Sequence, residues 1–398
     1  MDELIIHYWQ LPKDLFISLS PQLHIKLCLL IQKKTLNNCK NCFYEILKCP
    51  KWHAQRLFTR FNRMTIKEIE ILREFADISR EEIEREIESV GCHERRTIIN
   101  NPKFPFQLRD LFYVASHLMF DGCYRERKGC YFYSYETSLV DYHRKRLYEF
   151  GEVPINFGKN DNHLYFSYAI GYITKNILEI DNFRSTKTFL SKKMKDLAKD
   201  NKILTDEIVK AIIIDEGNIE DKIEAELANE RLIKDLYEVA SRYYRLTKIA
   251  SRTIKFKDNP KWTHTTTLWN IGFSAKSFQD LHKSISPLPI DYKEENLKFL
   301  FERKNRLFNQ RKAGETKKLI VKSLLENPKT IEELSKELFM KQTTVRAHLK
   351  GHPTYNSSLI GLSFVDRISE KILRRGGYAK VGIYGVTDIN KAKEFLNI

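Results

Sequence analysis

The sequence predicts an α+β protein with two similar units of helix and strand in its middle. A helical domain precedes them, and a domain of three helices and two strands follows them. Two observations predict this class. An apolar helical run that ends in an acid and a glycine occurs at 111–122 and again at 208–217, each time before strand-like sequence. Residues 313–398 then show three helical stretches followed by two strand-like stretches.

The N-terminal domain, residues 1–100, is predicted to be helical, with residues 15–90 all in helices. Two of its helix starts carry the Ser/Thr-x-x-Glu pattern of a capping box, at 65–68 and at 79–82. A short break at 76–78 joins two helices, which is typical of a helix-turn-helix and equally of plain helical packing. Three basic residues precede this pair, namely Arg56, Arg60 and Arg63.

A cysteine cluster in the same domain leaves two interpretations open. Cys39, Cys42, Cys49 and His53 have the spacing C-x2-C-x6-C-x3-H, and such side chains can ligate zinc. However, this spacing fits no common zinc module, and the residues at 43–47 look helical and core-forming. Reduced thiols in a helical domain are therefore the simpler interpretation. Seven cysteines without an export signal predict no disulfide framework.

The charge of the chain favours a polyanionic partner. Lysine and arginine number 68 against 52 acidic residues, which gives a formal net charge of +16 among 398 residues. A chain this basic attracts phosphate backbones first. No apolar run approaches the ~20 residues of a membrane span, and the N-terminus lacks the basic start of a signal peptide. We therefore expect a cytoplasmic protein with no membrane partner.

The two apolar runs carry the strongest chemical signal. Small residues in each run allow two helix backbones to approach closely and pack face to face. The glycines Gly122 and Gly217 end the helices and leave the preceding acids, Asp121 and Glu216, at the bottom of the seam. Two carboxylates there repel each other unless a divalent cation lies between them. The pattern predicts a metal-dependent nuclease site. The alternative is two ordinary core helices that stop at an acid–glycine turn.

The motif residues resemble a known family. Val114–Gly122 and Val209–Gly217 align without gaps with the nine-letter motif of the LAGLIDADG homing endonucleases. The resemblance covers about half of the chain and implies a pseudo-symmetric pair of αββαββα repeats, at 101–203 and 204–312. In that family the two sheets form a β-saddle that binds DNA, and a single chain with two motifs acts as a monomer.

The resemblance also implies roles for individual residues. Asp121 and Glu216 stand where the family has its catalytic acids, which bind Mg2+ or, in its place, Mn2+. Glutamate replaces aspartate in the second motif, and either carboxylate can hold Mg2+. The family further implies a lysine near the saddle that tunes the attacking water. The sequence leaves three candidates open for it, namely Lys175, Lys257 and Lys276.

The strands of each repeat are the expected contact surface for DNA. In the first repeat a hairpin turning near Lys128–Gly129 carries tyrosines and arginines, and basic and aromatic residues on twisted strands suit a groove-reading surface. A helix at 137–150 and strands at 153–157 and 163–169 complete that repeat. The second repeat starts with a mostly acidic strand, which would oppose phosphates, and later becomes basic. The predicted contacts in the two repeats are Arg125, Arg127, Lys128, Lys255 and Lys257.

The last domain, residues 313–398, resembles a winged-helix DNA-binding domain. Helices are predicted at 316–326, from a capping box at 330–333, and at 342–350, with strands at 362–368 and 379–386. In that arrangement the third helix carries groups able to read base edges, and the wing tip grips phosphates or enters a minor groove. A solvated basic hairpin beside a protein-binding helix is the alternative. The predicted DNA contacts are Thr343, Thr344, Arg346, His348 and Lys350 on the helix, with Arg374 and Arg375 at the tip.

These observations predict a site-specific endonuclease of the homing type that cleaves double-stranded DNA with Mg2+ held between the two motif acids. A sequence-specific DNA-binding protein or regulator on the same scaffold, without cleavage, is the alternative, and the acidic strand and the winged helix favour it. A third hypothesis is that the protein is an intron-RNA splicing cofactor, whose partner would be structured RNA.

Overall fold

A computed structural model of the chain describes residues 4–35, 42–59, 63–92, 98–126, 129–158, 162–183, 187–255, 265–305, 314–351, 358–374 and 378–398. They form many helices and several small sheets, so the predicted α+β class is confirmed. No helix in these ranges is both long and apolar enough to cross a membrane. The chain packs into two compact units. One draws on residues 1–217, 224–272 and 283–291, and the other on 218–223, 273–282 and 292–398.

The N-terminal part of the first unit is a mixed α/β structure, so the prediction that residues 15–90 are all helical is wrong. Four short strands form one antiparallel sheet in the order β3-β2-β4-β5. The periodicity of a short apolar run such as β2 cannot distinguish a strand from a helix. Here the run is a strand because it pairs with β3 and β4. The elements are β1 Ile5–Ile6, a 3-10 turn Tyr8–Gln10, β2 Phe16–Leu19, α1 Pro21–Thr35, α2 Cys42–Leu47, α3 Lys51–Thr59, β3 Met64–Thr65, α4 Ile66–Ala76, α5 Arg80–Arg85, β4 Ile87–Gly91 and β5 Ile98–Asn100.

The predicted break between two helices at 76–78 is present between α4 and α5. Thr65 and Glu68 form the full capping box that starts α4, and Ser79 caps α5 by accepting a hydrogen bond from the backbone of Glu82. Asp77 ends α4 in the left-handed conformation, with φ of 62°. The prediction that helix continues past α5 to residue 90 is wrong, because Ile87 begins β4.

Tyr8 forms hydrogen bonds with both helices of this pair. Tyr8 is fully buried, and its hydroxyl donates to Glu70 on α4 at 2.7 Å. Its backbone N–H donates to Glu84 on α5 at 2.9 Å. Although burial opposes it, hydrogen bonds from Arg73 and Arg80 lower the pKa of Glu70 to about 2. The carboxylate therefore stays charged and keeps three donors around it.

The middle of the chain repeats one order of elements. The first stretch runs β6 Phe106–Gln107, α6 Leu108–Met119, β7 Gly122–Arg125, β8 Gly129–Tyr133, α7 Thr137–Leu147, a 3-10 turn Tyr148–Phe150, β9 Asn156–Gly158, β10 His163–Phe166 and α8 Tyr168–Ile177. The predicted strands at 153–157 and 163–169 are shorter or shifted. Ala169 belongs to α8, because the side chain of Ser167 caps that helix by accepting a hydrogen bond from the backbone N–H of Ala169.

The second stretch follows the same plan. It runs α9 Lys192–Asp200, α10 Lys202–Asp215, β11 Gly217–Ile219, β12 Ile223–Leu227, α11 Glu230–Ala240, β13 Ala250–Lys255, β14 Thr265–Phe273, a 3-10 turn Ala275–Ser277 and α12 Phe278–Ile285. The two four-stranded sheets have the equivalent orders β7-β8-β10-β9 and β11-β12-β14-β13. The helices α6 and α10 pack against each other. That the two sheets form a pseudo-symmetric saddle stays a prediction.

Glycine is required where each of these two helices turns into its first strand. A methyl group at Gly122 would lie 2.6 Å from the carbonyl oxygen of His117. A methyl group at Gly217 would lie 2.5 Å from the carbonyl oxygen of Ile213. Both obstacles are helix backbone, which cannot move aside as a flexible side chain can. The glycine of each motif thus lets its strand leave close beside the helix.

The second unit contains the C-terminal domain. Its elements are α13 Asp291–Asn305, α14 Glu315–Glu326, β15 Lys329–Thr330, α15 Ile331–Leu338, α16 Gln342–Lys350, a 3-10 turn Ile360–Leu362, β16 Val365–Arg374, β17 Tyr378–Val386 and α17 Ile389–Leu396. The three strands pair in the order β15-β17-β16, around a core that includes Ile320, Leu334 and Val345. The predicted strand at 362–368 starts later, because Leu362 lies in the 3-10 turn. The predicted domain boundaries stay a prediction.

We expect Gly122→Ala and Gly217→Ala each to lower the free energy of unfolding by about 3 kcal/mol, because the new methyl group meets helix backbone. Urea denaturation followed by circular dichroism measures this. The control is Gly314→Ala, where φ is +83° but no atom lies within 4 Å. It should cost only about 1 kcal/mol. Equal losses for all three variants would contradict the assigned role of the two glycines.

Candidate DNA-binding interface

The C-terminal domain fixes its second helix pair through local sequence. Thr330 starts α15 with a capping box, in which its hydroxyl accepts from the N–H of Glu333 at 3.2 Å and the Glu333 carboxylate accepts from the N–H of Thr330 at 2.7 Å. Phe339 ends α15 in the left-handed conformation, with φ of 51°. Met340 is buried in the turn, and its N–H donates to the carbonyl of Ser335 at 3.0 Å. A turn of three residues therefore sets the direction of α16.

The helix α16 has one buried side and one polar side. Val345 and Leu349 are fully buried, as their spacing predicts. Thr343, Arg346 and Lys350 are exposed. The Lys350 ammonium lies 5.9 Å from the ring centre of Tyr384 on β17. Arginine and threonine on one helix face are groups that read base edges in a major groove.

Two of the predicted helix contacts are less accessible. Thr344 and His348 are half-buried rather than exposed. Burial, and secondarily the charge of Lys317, lowers the pKa of His348 below its ordinary value. At neutral pH this imidazole is therefore uncharged, and it cannot act as a cation toward phosphate.

The strands β16 and β17 form the wing. They pair antiparallel from Val365↔Val386 to Arg374↔Tyr378, with a register shift between Arg367 and Ser369. Arg367, which the sequence reasoning missed, donates to Glu370 on the same strand at 2.7 Å. Arg374 is the last described residue of β16, and Arg375 lies outside the described residues. The sequence signal for Arg367 is its place in the predicted strand at 362–368, one of the two strands of a basic hairpin.

A turn of the same geometry occurs in the N-terminal part between α4 and α5. In both places a Thr-Ile-x-Glu segment starts the first helix, a left-handed residue ends it and a buried apolar residue follows. The buried residue, Ile78 or Met340, donates its N–H to the carbonyl five residues earlier at 3.0 Å. The chemistry differs, because the sequence of α5, Arg-Glu-Glu-Ile-Glu-Arg, is largely acidic. Arg60, one of the three basic residues that precede α4 and α5 in the sequence, lies outside the described residues.

Three helices, a three-residue turn and a two-strand wing define a helix-turn-helix DNA-binding domain of the winged type. The sequence model described as bacterial regulatory protein, arsR family, matches residues 314–351, which span α14 to α16. The predicted C-terminal DNA-binding domain is thereby confirmed. Comparison with curated proteins gives no match to the chain. The resemblance to the homing endonucleases stays a prediction.

The structure places Asp121 and Glu216 directly after the two packed helices α6 and α10. Asp121 is exposed, and its carbonyl accepts from the N–H of Tyr133 at 3.2 Å. Glu216 is half-buried at the end of α10, and its N–H donates to the carbonyl of Ile212 at 2.9 Å. Within the described ranges no group of three or more His, Cys, Asp or Glu side chains is arranged to hold a metal ion. A metal here would take its other ligands from water or phosphate.

Polar contacts that the sequence reasoning missed cross the seam between these helices. His117 on α6 and Asp215 on α10 are both nearly fully buried, and Nδ1 of the imidazole donates to the carboxylate at 2.8 Å. Arg146 on α7 lies 3.1 Å from both Asp110 on α6 and Glu207 on α10. His117 and Asp215 lie inside the two sequence motifs. The sequence shows both residues but does not show that they pair across 98 positions.

Burial controls the protonation of this cluster. Burial lowers the pKa of His117 to about 3. Burial and the neighbouring His117 hold the pKa of His143 well below its ordinary value. Burial also raises the pKa of Asp110 to about 6, against the opposing charge of Arg146. Both imidazoles are therefore neutral at pH 7.

Only some of the predicted DNA contacts on the repeat strands lie within the described residues. The guanidinium of Arg125 lies 5.3 Å from the ring centre of Tyr131, at the end of β7. Lys255 ends β13 in register with Thr265. Of the candidate lysines, Lys175 lies on α8, 5.6 Å from the ring of Tyr124, and Lys276 lies in the 3-10 turn after β14. Arg127, Lys128 and Lys257 lie outside the described residues.

The acidic strand of the second repeat is partly neutralised by its neighbours. On β12, the Glu224 carboxylate accepts from the amide of Asn270 at 3.0 Å. Glu226 forms an ion pair with Arg252 on β13. Some of the negative charge that would oppose phosphates is thus held by cross-strand partners.

The proposed zinc cluster is only partly described, because Cys39 lies outside the described residues. Cys42 is buried on α2, with its sulfur 2.9 Å from the hydroxyl of Thr35. His53 on α3 lies 2.6 Å from Glu68 through Nε2. Both interpretations, zinc ligands and the simpler one of reduced thiols, stay predictions.

Acid should destabilise the first unit through its buried histidines. His117 has a folded pKa of about 3 against 6.5 when unfolded, so its contribution to stability is complete above pH 6.5 and is lost as the pH falls toward 3. Urea titrations between pH 7 and 4 should show a falling free energy of unfolding. The slope should be smaller by up to about 1.4 kcal/mol per pH unit in His117→Asn, which keeps a donor but cannot titrate. Identical slopes for both proteins would refute this origin.

Proposed function

We propose that this chain is a sequence-specific double-stranded DNA-binding protein that reads its site with α16 and steadies it with the β16–β17 wing. The observation that carries the proposal is the helix-turn-helix domain itself, with its match at residues 314–351. Such domains lay their second helix in the major groove, with its N-terminal residues near the base edges. Thr343, Arg346 and Lys350 stand on the side of α16 that would face the groove.

The charges support this assignment. The chain carries +16 overall, and Arg346 and Lys350 are exposed on α16. Neutralising phosphates releases counterions, so binding should weaken as salt rises. Arg346, Thr343 and Thr344 are assigned to base edges, and Lys350, Arg374 and Arg375 to phosphates. His348 is assigned a contact through its neutral imidazole.

A second candidate function, cleavage of the bound duplex, is favoured by the seam. Two packed helices end in Asp121 and Glu216, and each acid precedes a glycine that fits only without a side chain. The donor set suits Mg2+ or Mn2+, since oxygen ligands from one or two carboxylates are completed by phosphate and water. Bound there, the ion would supply a Lewis acid that activates water. Arg125, Arg127, Lys128, Lys255 and Lys257 would then contact the DNA on the repeat strands.

Arg346→Ala should weaken binding to a duplex selected from a random pool by about 10-fold or more and relax the preference at one base pair, because a bidentate contact is worth about 1–3 kcal/mol. Fluorescence anisotropy at fixed salt gives the affinities. Lys393→Ala is the matched control, since it removes one exposed charge of the same domain on α17. Equal effects of the two substitutions would remove α16 as the reading element.

Cleavage is tested on the same selected duplex with Mg2+ or Mn2+. If the second candidate holds, the natural chain produces double-strand breaks, whereas Asp121→Asn and Glu216→Gln bind with unchanged affinity but leave the duplex intact. Absence of any cut by the natural chain removes this candidate and leaves DNA binding in place. Tighter binding to structured RNA than to the duplex would instead favour the splicing-cofactor reading.

A further inference from the structure

The helix α16 lacks a cap of its own. Its N-cap residue is Lys341, whose side chain accepts no hydrogen bond and carries the charge that a helix N-terminus disfavours. Most helices satisfy their first N–H groups with a Ser, Thr, Asp or Asn at this position. In α15, only a few residues earlier, Thr330 does so.

A carboxylate from a distant segment takes this place. Asp221, in the turn between β11 and β12, accepts from the N–H of Gln342 at 3.0 Å and from the N–H of Thr343 at 3.2 Å. The Thr343 hydroxyl donates to the same carboxylate at 3.4 Å. The turn belongs to the same compact unit as α16, and the side-chain amide of Asn296 on α13 holds it by donating to the carbonyl of Ile219 at 2.7 Å.

The contact falls on the end of α16 that a DNA duplex would approach. Gln342, Arg346 and Lys350 of the helix line a cleft of about 740 Å³ together with Glu220 of the turn. Arg367 and Lys380 of the wing line the same cleft. Anions bind at helix N-termini because free N–H groups and the helix dipole attract them. A phosphate and the Asp221 carboxylate cannot occupy the same two N–H groups at once.

We infer that Asp221 is an intramolecular competitor of DNA, which occupies the N-terminus of the reading helix in the free protein and leaves when α16 enters the groove. This inference rests on the proposed function. The Asp221 carboxylate takes the place of a phosphate at these two N–H groups, whereas Glu220 of the same turn only lines the cleft. Binding of DNA then requires the turn to separate from α16, so the apparent affinity is lower than that of the freed helix.

The test uses the full chain and a duplex selected from a random pool. Asp221→Asn should tighten binding about fivefold, because removing the negative charge at the helix N-terminus weakens the contact of the turn with α16 by about 1 kcal/mol. Lys341 has the extended backbone of an N-cap, with φ of −67° and ψ of 142°, so Lys341→Ser can supply a local cap. Asp221→Asn should therefore tighten binding also in the Lys341→Ser background, where α16 remains capped. Glu220→Gln, which removes a charge from the same turn but touches no N–H group, should change the affinity less than twofold.

Hydrogen exchange provides the second measurement. Adding the duplex to the natural chain should increase the exchange of peptides that cover 218–223 while that of α16 decreases. Three results would overturn the inference and leave the proposed function intact: unchanged affinity in Asp221→Asn, weaker affinity in the Lys341→Ser background, or a turn that stays protected in the complex. Failure of every variant and of the natural chain to bind any duplex would overturn the inference together with the proposed function.

Discussion

The packing of α6 on α10 is the constraint on which the first unit depends. Each helix leads at its own glycine into the first strand of a four-stranded sheet. Buried polar groups fix how the helices meet, through His117 with Asp215 and through Arg146 with Glu207. Removing one partner of a buried pair typically costs about 3–5 kcal/mol, because the other is left uncompensated. Misaligned helices would pay that cost, which favours a single register.

The same local geometry serves two different purposes in this chain. The turns after α4 and after α15 share a left-handed residue, a buried apolar residue and a capped start. The helix that follows decides the role. In α16 the exposed face carries Thr343, Arg346 and Lys350, whereas in α5 the carboxylate of Glu84 accepts from the backbone N–H of Tyr8. Backbone geometry places a helix, and its side chains determine whether nucleic acid is attracted.

Local rules predicted the parts of the fold that are local. The capping boxes at Thr65 and Thr330, the buried positions Val345 and Leu349 and the hairpin after Gly122 depend on residues within a few positions of each other. The strands of the N-terminal sheet were missed, because their short apolar runs gain a strand identity only from partners far along the chain. The contacts of His117 with Asp215 and of Asp221 with α16 join residues 98 and 121 positions apart. No periodicity within one segment carries such information.

The burial of Tyr8 has a practical consequence for producing the protein. The hydroxyl and N–H of this residue satisfy carboxylates on both α4 and α5, and His7 approaches the same Glu84 at 2.9 Å. A purification tag or a trimmed expression boundary that displaces His7 and Tyr8 would remove these hydrogen bonds, although Arg73 and Arg80 would still donate to Glu70. Ile398, by contrast, is 77% exposed, so a substitution there leaves the packed interior untouched.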